Sequence, residues 1–262
     1  MPKKKRLDIL LFERGLAPTR SKAQAYIMAG EVLVNGERVD KAGTKFTDDV
    51  EVTVKNRPQY VSRGGEKLAG ALSDFEYDPA GLICADVGAS TGGFTDCLLQ
   101  ANAQCVYAID VGYGQLAYKL RVDERVVVLE RTNARHLDNL DELVDLVVVD
   151  ASFISLTLLL PAMRRWMKDS ADIIALIKPQ FEAGKSEVGK GGVVKDEAVH
   201  ERVIHDVATF AESIGLHVQD LTVSPIKGLN KGNTEFLILL STNPASDSID
   251  LDHLIEQALA RA

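Results

Sequence analysis

Four charged residues stand where apolar segments begin or end: Lys67 in "SRGGEKL", Asp150 in "VVVDASF", Lys178 in "ALIKPQFE" and Glu235 in "GNTEFLIL". A lysine after five apolar residues and an aspartate after four are poor choices for a core, because burying charge is costly unless it is paired. Their chemistry is specific. A lysine that has lost its proton can accept one from a weak nucleophile, and a second ammonium nearby favours that loss by like-charge repulsion. Carboxylates can orient both amines. The bland alternatives are a lysine stem that snorkels and an aspartate that caps a helix.

Positioning such residues requires a scaffold, and the sequence supplies one. Apolar runs at 82–87, 105–110, 126–129, 146–149 and 173–177, with later ones near 217–223 and 236–240, alternate with helical patterns, the first at 65–75. This predicts an α/β fold with a seven-stranded, mostly parallel sheet covered on both faces. Ligands of such sheets sit at the carboxyl ends of the strands, near the switch in strand order. The four charged residues lie at element ends on that side.

At the end of the first strand the chain reads Gly88-Ala89-Ser90-Thr91-Gly92-Gly93. Dinucleotide enzymes place G-x-G-x-x-G here so that backbone can approach a pyrophosphate. Serine stands where the second glycine belongs, which argues against a nicotinamide cofactor. Asp110, at the end of the second strand, lies 22 residues past Gly88, where a carboxylate can accept both hydroxyls of a ligand ribose. Asn133 in "ERTNAR" is a candidate for an adenine edge. Plain turn and capping roles are the alternatives for both. The stretch "GKSEVGKG" fits most of a phosphate-binding loop, but Gly191 replaces the required hydroxyl. Residues 179–195 read instead as a mobile lid, long for a passive connection.

The net charge of −8 is unevenly spread. Residues 1–63 hold 13 Lys/Arg against 8 Asp/Glu, and the remainder 17 against 30. A basic head on an acidic body suits docking of one module on a polyanion. Within the head, Leu7 to Leu16 and Ala23 to Met28 have helical spacing, broken by Gly15 and Gly30. Asn35-Gly36 then predicts a tight hairpin and 50–54 a last strand. Arg6-Leu7-Asp8 matches a catalytic tripeptide of pseudouridine synthases, but its place in the first helix argues against that use.

The stretch "RLDILLFERGLAPTRSKAQAYIMAGEVLVNGERVDKAGTKFTDDVEV" resembles the S4-type RNA-binding domain. That resemblance implies that Arg20, Ser21, Lys22, Gln24 and Arg38 meet RNA, with Lys3, Lys4, Lys5 and Arg6 as a flexible basic arm and Arg63 contributing from the junction. The glycine turn resembles motif I of Rossmann-like class I methyltransferases. The segments around Lys67, Asp150, Lys178 and Glu235 resemble the Lys-Asp-Lys-Glu tetrad of FtsJ-like ribose 2′-O-methyltransferases. The full arrangement is similar to the TlyA family. The resemblance implies an S-adenosyl-L-methionine cofactor held by residues 88–93, Asp110, Asn133 and Asp150. It also implies cytidine ribose of ribosomal RNA or ribosomal subunits as substrate, and no metal. Lys178 is then the general base, Lys67 its electrostatic helper, Asp150 the orienting group and Glu235 the anchor of Lys67 or the ribose.

The expected division is a head at 1–54, a linker at 55–63, a methyltransferase body at 64–245 and a C-terminal helix at 246–262 that starts near Ser248. The odd, unclustered Cys84, Cys97 and Cys105 read as reduced packing residues of a cytoplasmic protein. The longest apolar run, 153–163, is short of the ~20 residues a bilayer requires. No obligate protein partner is evident. Two alternatives stand beside the enzyme: a noncatalytic RNA-binding protein that retains the cofactor pocket, and the membrane-active hemolysin that the family's common label suggests, which the lack of a spanning segment disfavours.

Overall fold

A computed structural model describes all residues except 1–3, 56–57, 229–231 and 246–248. Lys3, two residues of the expected linker (Asn56, Arg57) and Ser248 therefore lie outside the described residues. The chain divides into two compact units, Met1–Val61 and Ser62–Ala262.

The first unit runs β1 (Lys5–Arg6), α1 (Leu7–Glu13), α2 (Arg20–Met28), β2 (Val32–Val34), β3 (Glu37–Arg38), β4 (Lys45–Phe46) and β5 (Val52–Val54). Leu7, Leu11, Ala23 and Ile27 of the helices pack on Val32, Val34 and Val54 of the sheet β3-β2-β5. Thr19 caps α2 by accepting from Lys22 N at 3.1 Å. Asn35 and Gly36 both take positive φ, 49° and 83°, as the two-residue hairpin turn requires. One expectation fails here. Lys5 and Arg6 are not a free arm: they pair antiparallel with Phe46 and Lys45. The Lys5 ammonium is bound to Glu13 at 2.8 Å and Asp48 at 3.2 Å. Carboxylates of the head itself supply the partners that hold this stretch down.

The second unit continues α3 (Gly64–Asp74), β6 (Ile83–Val87), α4 (Gly93–Gln100), β7 (Cys105–Ile109), α5 (Tyr118–Arg121) and β8 (Val126–Leu129). After a 3₁₀ turn (Ala134–His136) follow β9 (Val144–Val149), α6 (Leu156–Arg164), β10 (Met167–Ile177), α7 (Pro179–Glu182), α8 (Glu197–Ser213), β11 (His217–Val223), β12 (Phe236–Ser241) and α9 (Leu251–Ala260). Among the described residues seven strands form one sheet, ordered β11-β12-β10-β9-β6-β7-β8. The pairs from β10 through β8 are parallel, whereas β12 runs antiparallel to both its neighbours. The central strands are mostly apolar because helices cover both faces, with Asp86 of β6 as a fully buried exception. α9 is part of this unit: Ile255 and Ala258 are buried in the main core.

The topology fixes where a ligand can sit. The chain winds outward from β6 through β7 to β8, then returns to lay β9 on the other side of β6. This reversal opens a crevice at the carboxyl ends of β6 and β9. The antiparallel β12 starts at that same edge, since Phe236 is paired with Ile177 at the end of β10. A residue just before β12 is thereby brought beside residues just after β9 and β10. β10 itself begins at Met167 rather than at 173, because its polar start (Lys168, Asp169, Ser170) hides it from an apolar-run criterion.

Candidate active site

Asp150 and Lys178 are the first residues beyond β9 and β10, Glu235 is the last before β12, and Lys67 lies in the first turn of α3. Their side chains converge. Lys178 Nζ is 2.5 Å from Asp150 Oδ1, and Lys67 Nζ is 2.6 Å from Glu235 Oε2. Asp150 Oδ2 lies 3.8 Å from Lys67 Nζ, so one carboxylate stands between two ammonium groups. Lys67, Lys178 and Glu235 are buried, whereas Asp150 keeps an exposed edge. Such burial is tolerable only because each charge is matched.

Residues missed in the sequence complete the cluster. Ser152 Oγ accepts from Lys178 Nζ at 2.9 Å. Gln180 Nε2 donates to Glu235 Oε1 at 3.2 Å. Glu182 accepts from Ser155 Oγ at 2.6 Å and from the backbone N of Leu156 at 2.8 Å, tying α7 to the loop after β9, and burial raises its carboxyl above the usual range. That loop presents Phe153, 89% exposed and in the left-handed region at φ 64°. Its ring meets that of Phe181 at 4.8 Å. An exposed aromatic ring held in a costly backbone conformation beside the lysine offers a face on which a flat ligand group can stack. The motifs "VVVDASF" and "KPQFE" are thus laced together at several points, a pairing that only the parallel neighbours β9 and β10 reveal.

The glycine turn closes over the crevice. Gly88 takes φ 85°, and a Cβ there would come within 2.8 Å of the backbone O of Asp150. At Gly93 a Cβ would fall 2.9 Å from Gly65 N, so α3 and α4 meet only because no side chain intervenes. Ser90, the departure from the dinucleotide pattern, takes φ 48° as a glycine would. Its backbone N donates to Asp110 Oδ2 at 2.7 Å, and Gly112 N donates to Asp110 Oδ1 at 2.6 Å. Asp110 therefore fixes the turn to the end of β7, and a narrow cleft runs past it, lined by Ala89, Ser90, Gln115, Leu116 and Glu130. Thr91 is exposed on the turn, and Gly92 (φ 93°) precedes α4. Asn133 Oδ1 accepts from Arg135 N at 3.1 Å, capping the 3₁₀ turn.

Beneath the turn lies Asp86, fully buried in β6. Its Oδ2 accepts from Thr95 N at 2.8 Å and from Thr95 Oγ1 at 2.6 Å, which pins α4 to the strand. Burial, helped by the charges of Asp150 and Asp110, pushes its carboxyl up to about 7 against the opposing Thr95 hydrogen bonds. The signal in the sequence was an aspartate inside an apolar strand, "ICADV".

Family comparison is decisive at this point. Residues 60–242 match the FtsJ-like methyltransferase family and residues 5–52 the S4 domain. The 16S/23S rRNA (cytidine-2′-O)-methyltransferase TlyA of Mycobacterium tuberculosis is 45% identical over 99% of this chain and 99% of its own. The chain belongs to the TlyA family of FtsJ-like methyltransferases. The 23S rRNA (cytidine-2′-O)-methyltransferase TlyA of Campylobacter jejuni is 32% identical over 88% of this chain and 97% of its own. A solved hemolysin-named structure from Streptococcus thermophilus matches with TM-score 0.74 and 43% identity, covering 100% of this chain and 96% of that one. No helix among the described residues is long and apolar enough to cross a membrane.

In the S4 unit of this TlyA-family chain, the expected RNA-facing residues other than Lys5, which Glu13 and Asp48 hold, separate into two groups. Lys4, Ser21, Lys22 and Arg38 are exposed, with Lys22 Nζ above the Tyr26 ring at 5.2 Å. Arg6, Arg20 and Gln24 all converge on Asp8. Arg63, at the start of the methyltransferase unit, is exposed and donates to the backbone O of Lys227 at 3.1 Å.

Proposed function

We propose that this chain transfers a methyl group from S-adenosyl-L-methionine to a cytidine ribose 2′-hydroxyl of ribosomal RNA, in the cytoplasm. The observation that carries this reading is the meeting of Lys67, Asp150, Lys178 and Glu235 at the carboxyl edge of the sheet, beside the glycine turn. The crevice suits the cofactor: Gly88 lets the turn pack directly on the Asp150 backbone with no side chain between them, and a narrow cleft lined by Ala89, Ser90 and Gln115 runs past Asp110. Residues 88–93 would cradle the cofactor, Asp110 its ribose, Asn133 its adenine edge, and Asp150 would face the reacting end. The cofactor, when bound, supplies a methyl carbon already activated by its sulfonium.

The chain's own work is deprotonation and alignment. Lys178, once its amine is neutral, would take the ribose 2′-hydroxyl proton onto Nζ; the cofactor would supply the methyl carbon to that oxygen and keep the electron pair of the broken carbon–sulfur bond as a neutral thioether. Asp150 and Ser152 hold that nitrogen in place, and Glu235 with Gln180 fixes Lys67. Alignment supplies much of the rate, because in-line transfer needs reacting atoms about 3–3.5 Å apart. The S4 unit grips RNA through phosphate contacts, which set register and affinity.

The test is transfer of labelled methyl from S-adenosyl-L-methionine to naked ribosomal RNA, separate subunits and whole ribosomes, followed by mapping of ribose methylation. A new 2′-O-methylcytidine on at least one substrate supports the reading. No new mark on any of them, with the cofactor still bound, favours an RNA-binding protein without catalysis.

A further inference from the structure

Arg6-Leu7-Asp8 has a use that the catalytic tripeptide it mimics does not suggest. Asp8 lies in the first turn of α1 and is fully buried. A carboxylate removed from water must be compensated by donors. Arg6 supplies two, Nε to Oδ1 at 2.9 Å and Nη2 to Oδ2 at 3.0 Å. Gln24 Nε2 reaches Oδ2 at 2.7 Å and Arg20 Nη2 at 3.3 Å. The Arg6 fork, and then Gln24 and Arg20, hold the Asp8 carboxyl well below the usual carboxylate range against its burial. The carboxylate thus gathers residues from β1 and α2 that are distant in sequence.

The two guanidinium groups are not spent by this pairing. Their side chains remain 42% and 53% exposed, and each guanidinium has five N–H donors, of which Arg6 uses two on Asp8 and Arg20 one. Three of the residues assigned to RNA are therefore fastened to one buried anion. On charge alone this arrangement is counterproductive, since Asp8 cancels one of two positive charges where a polyanion is to dock. What the carboxylate provides is geometry. A guanidinium plane fixed in advance loses less freedom when it binds, and its planar fork matches two oxygens of one phosphate.

We propose that Asp8 is a positioning residue that holds Arg6 and Arg20 as a rigid pair of guanidinium forks for phosphates of the substrate RNA. The proposal rests on the reading of the S4 unit as the RNA grip.

The sign of one substitution separates geometry from charge. In the full chain Asp8→Asn raises the net charge by one. Preorganisation predicts that affinity for purified ribosomal RNA nonetheless falls about ten-fold, the cost of ordering two long side chains on binding. Unchanged or tighter binding overturns the proposal. Arg6→Lys/Arg20→Lys keeps the charge but not the fork, so it should lose a similar factor and it serves if Asp8→Asn does not fold. Wild-type affinity in that lysine chain overturns the proposal as well. In the Arg6→Ala/Arg20→Ala background, Asp8→Asn should cause no further loss, whereas an additive loss assigns Asp8 to fold maintenance alone. If Arg6→Ala/Arg20→Ala itself binds like wild type, the RNA-grip reading falls and the proposal with it. A loss there beside normal binding by Asp8→Asn removes the proposal alone.

Discussion

Asp150 Oδ1 meets Lys178 Nζ at 2.5 Å, although 27 residues and a helix separate them along the chain. The parallel neighbours β9 and β10 both end at this edge of the sheet, and each releases one charged residue as it ends. If Lys178 takes the ribose proton, charge is insufficient at this position: the nitrogen must be able to lose its own proton. Lys178→Ala and Lys178→Arg should therefore both lower methyl transfer by about 10²–10⁴-fold, the range for a general base, since arginine does not deprotonate in proteins. Rates of labelled methyl incorporation check this, with retained cofactor binding as the control for folding. Arginine activity within a few-fold of wild type would remove proton acceptance from the role of Lys178.

Lys67 and Glu235 make a second prediction, about stability and activity moving apart. Their ion pair, at 2.6 Å, is almost wholly removed from water. Among the described residues, Lys67→Met leaves the buried Glu235 carboxylate with Gln180 alone, and it should cost about 3–5 kcal/mol. Lys67→Met/Glu235→Gln removes both charges, keeps a polar group facing Gln180, and should recover most of that loss. Methyl transfer should stay low in both chains. Urea unfolding beside turnover measurements separates the two effects, and full activity in the neutral pair would show that the charges serve folding only.

At Gly88 the prediction is steric. Gly88→Ala would bring a methyl group within 2.8 Å of the Asp150 backbone oxygen, at a φ of 85° that alanine resists. Either the turn or the start of the loop after β9 must shift, and Asp150 shifts with it. Cofactor affinity should fall at least ten-fold and stability by about 1–3 kcal/mol, measured by calorimetric titration and thermal unfolding. Cofactor binding at wild-type strength would place the ligand away from this turn.

The sheet and the four charged positions were legible because they depend on local pattern: apolar runs set the strands, and a charge after such a run is conspicuous. Ser152, Gln180 and Glu182 were not, since a serine or glutamine in a polar loop carries no signal until a neighbouring strand brings a partner to it. The start of β10 was lost to its polar residues, and α9 gave no hint that Ile255 and Ala258 complete the main core. The tethering of Lys5 and Arg6 was hidden for a different reason. Their partners Glu13, Asp48 and Asp8 are ordinary acidic residues in the sequence, and only the folded head shows that a basic stretch is held by its own carboxylates.

Asp86 contributes a pH dependence of its own. Its carboxyl titrates at about 7 in the folded chain, because β6 excludes water from it and Asp150 and Asp110 add negative charge. In the unfolded chain an aspartate titrates near ~3.9. The folded state thus holds a proton that the unfolded state has released between about pH 4 and pH 7. The contribution of this group to stability is complete below that window and is lost as pH rises through about 7. Asp86→Asn cannot ionise, yet its Oδ1 can still accept from Thr95 N and Thr95 Oγ1. Relative to this variant, wild type should lose stability from about pH 4 to about pH 7, read from urea midpoints at each pH. A wild-type-to-variant gap that does not move across that interval would mean that Asp86 keeps an unfolded-like titration, and that the turn above it is not coupled to a buried proton.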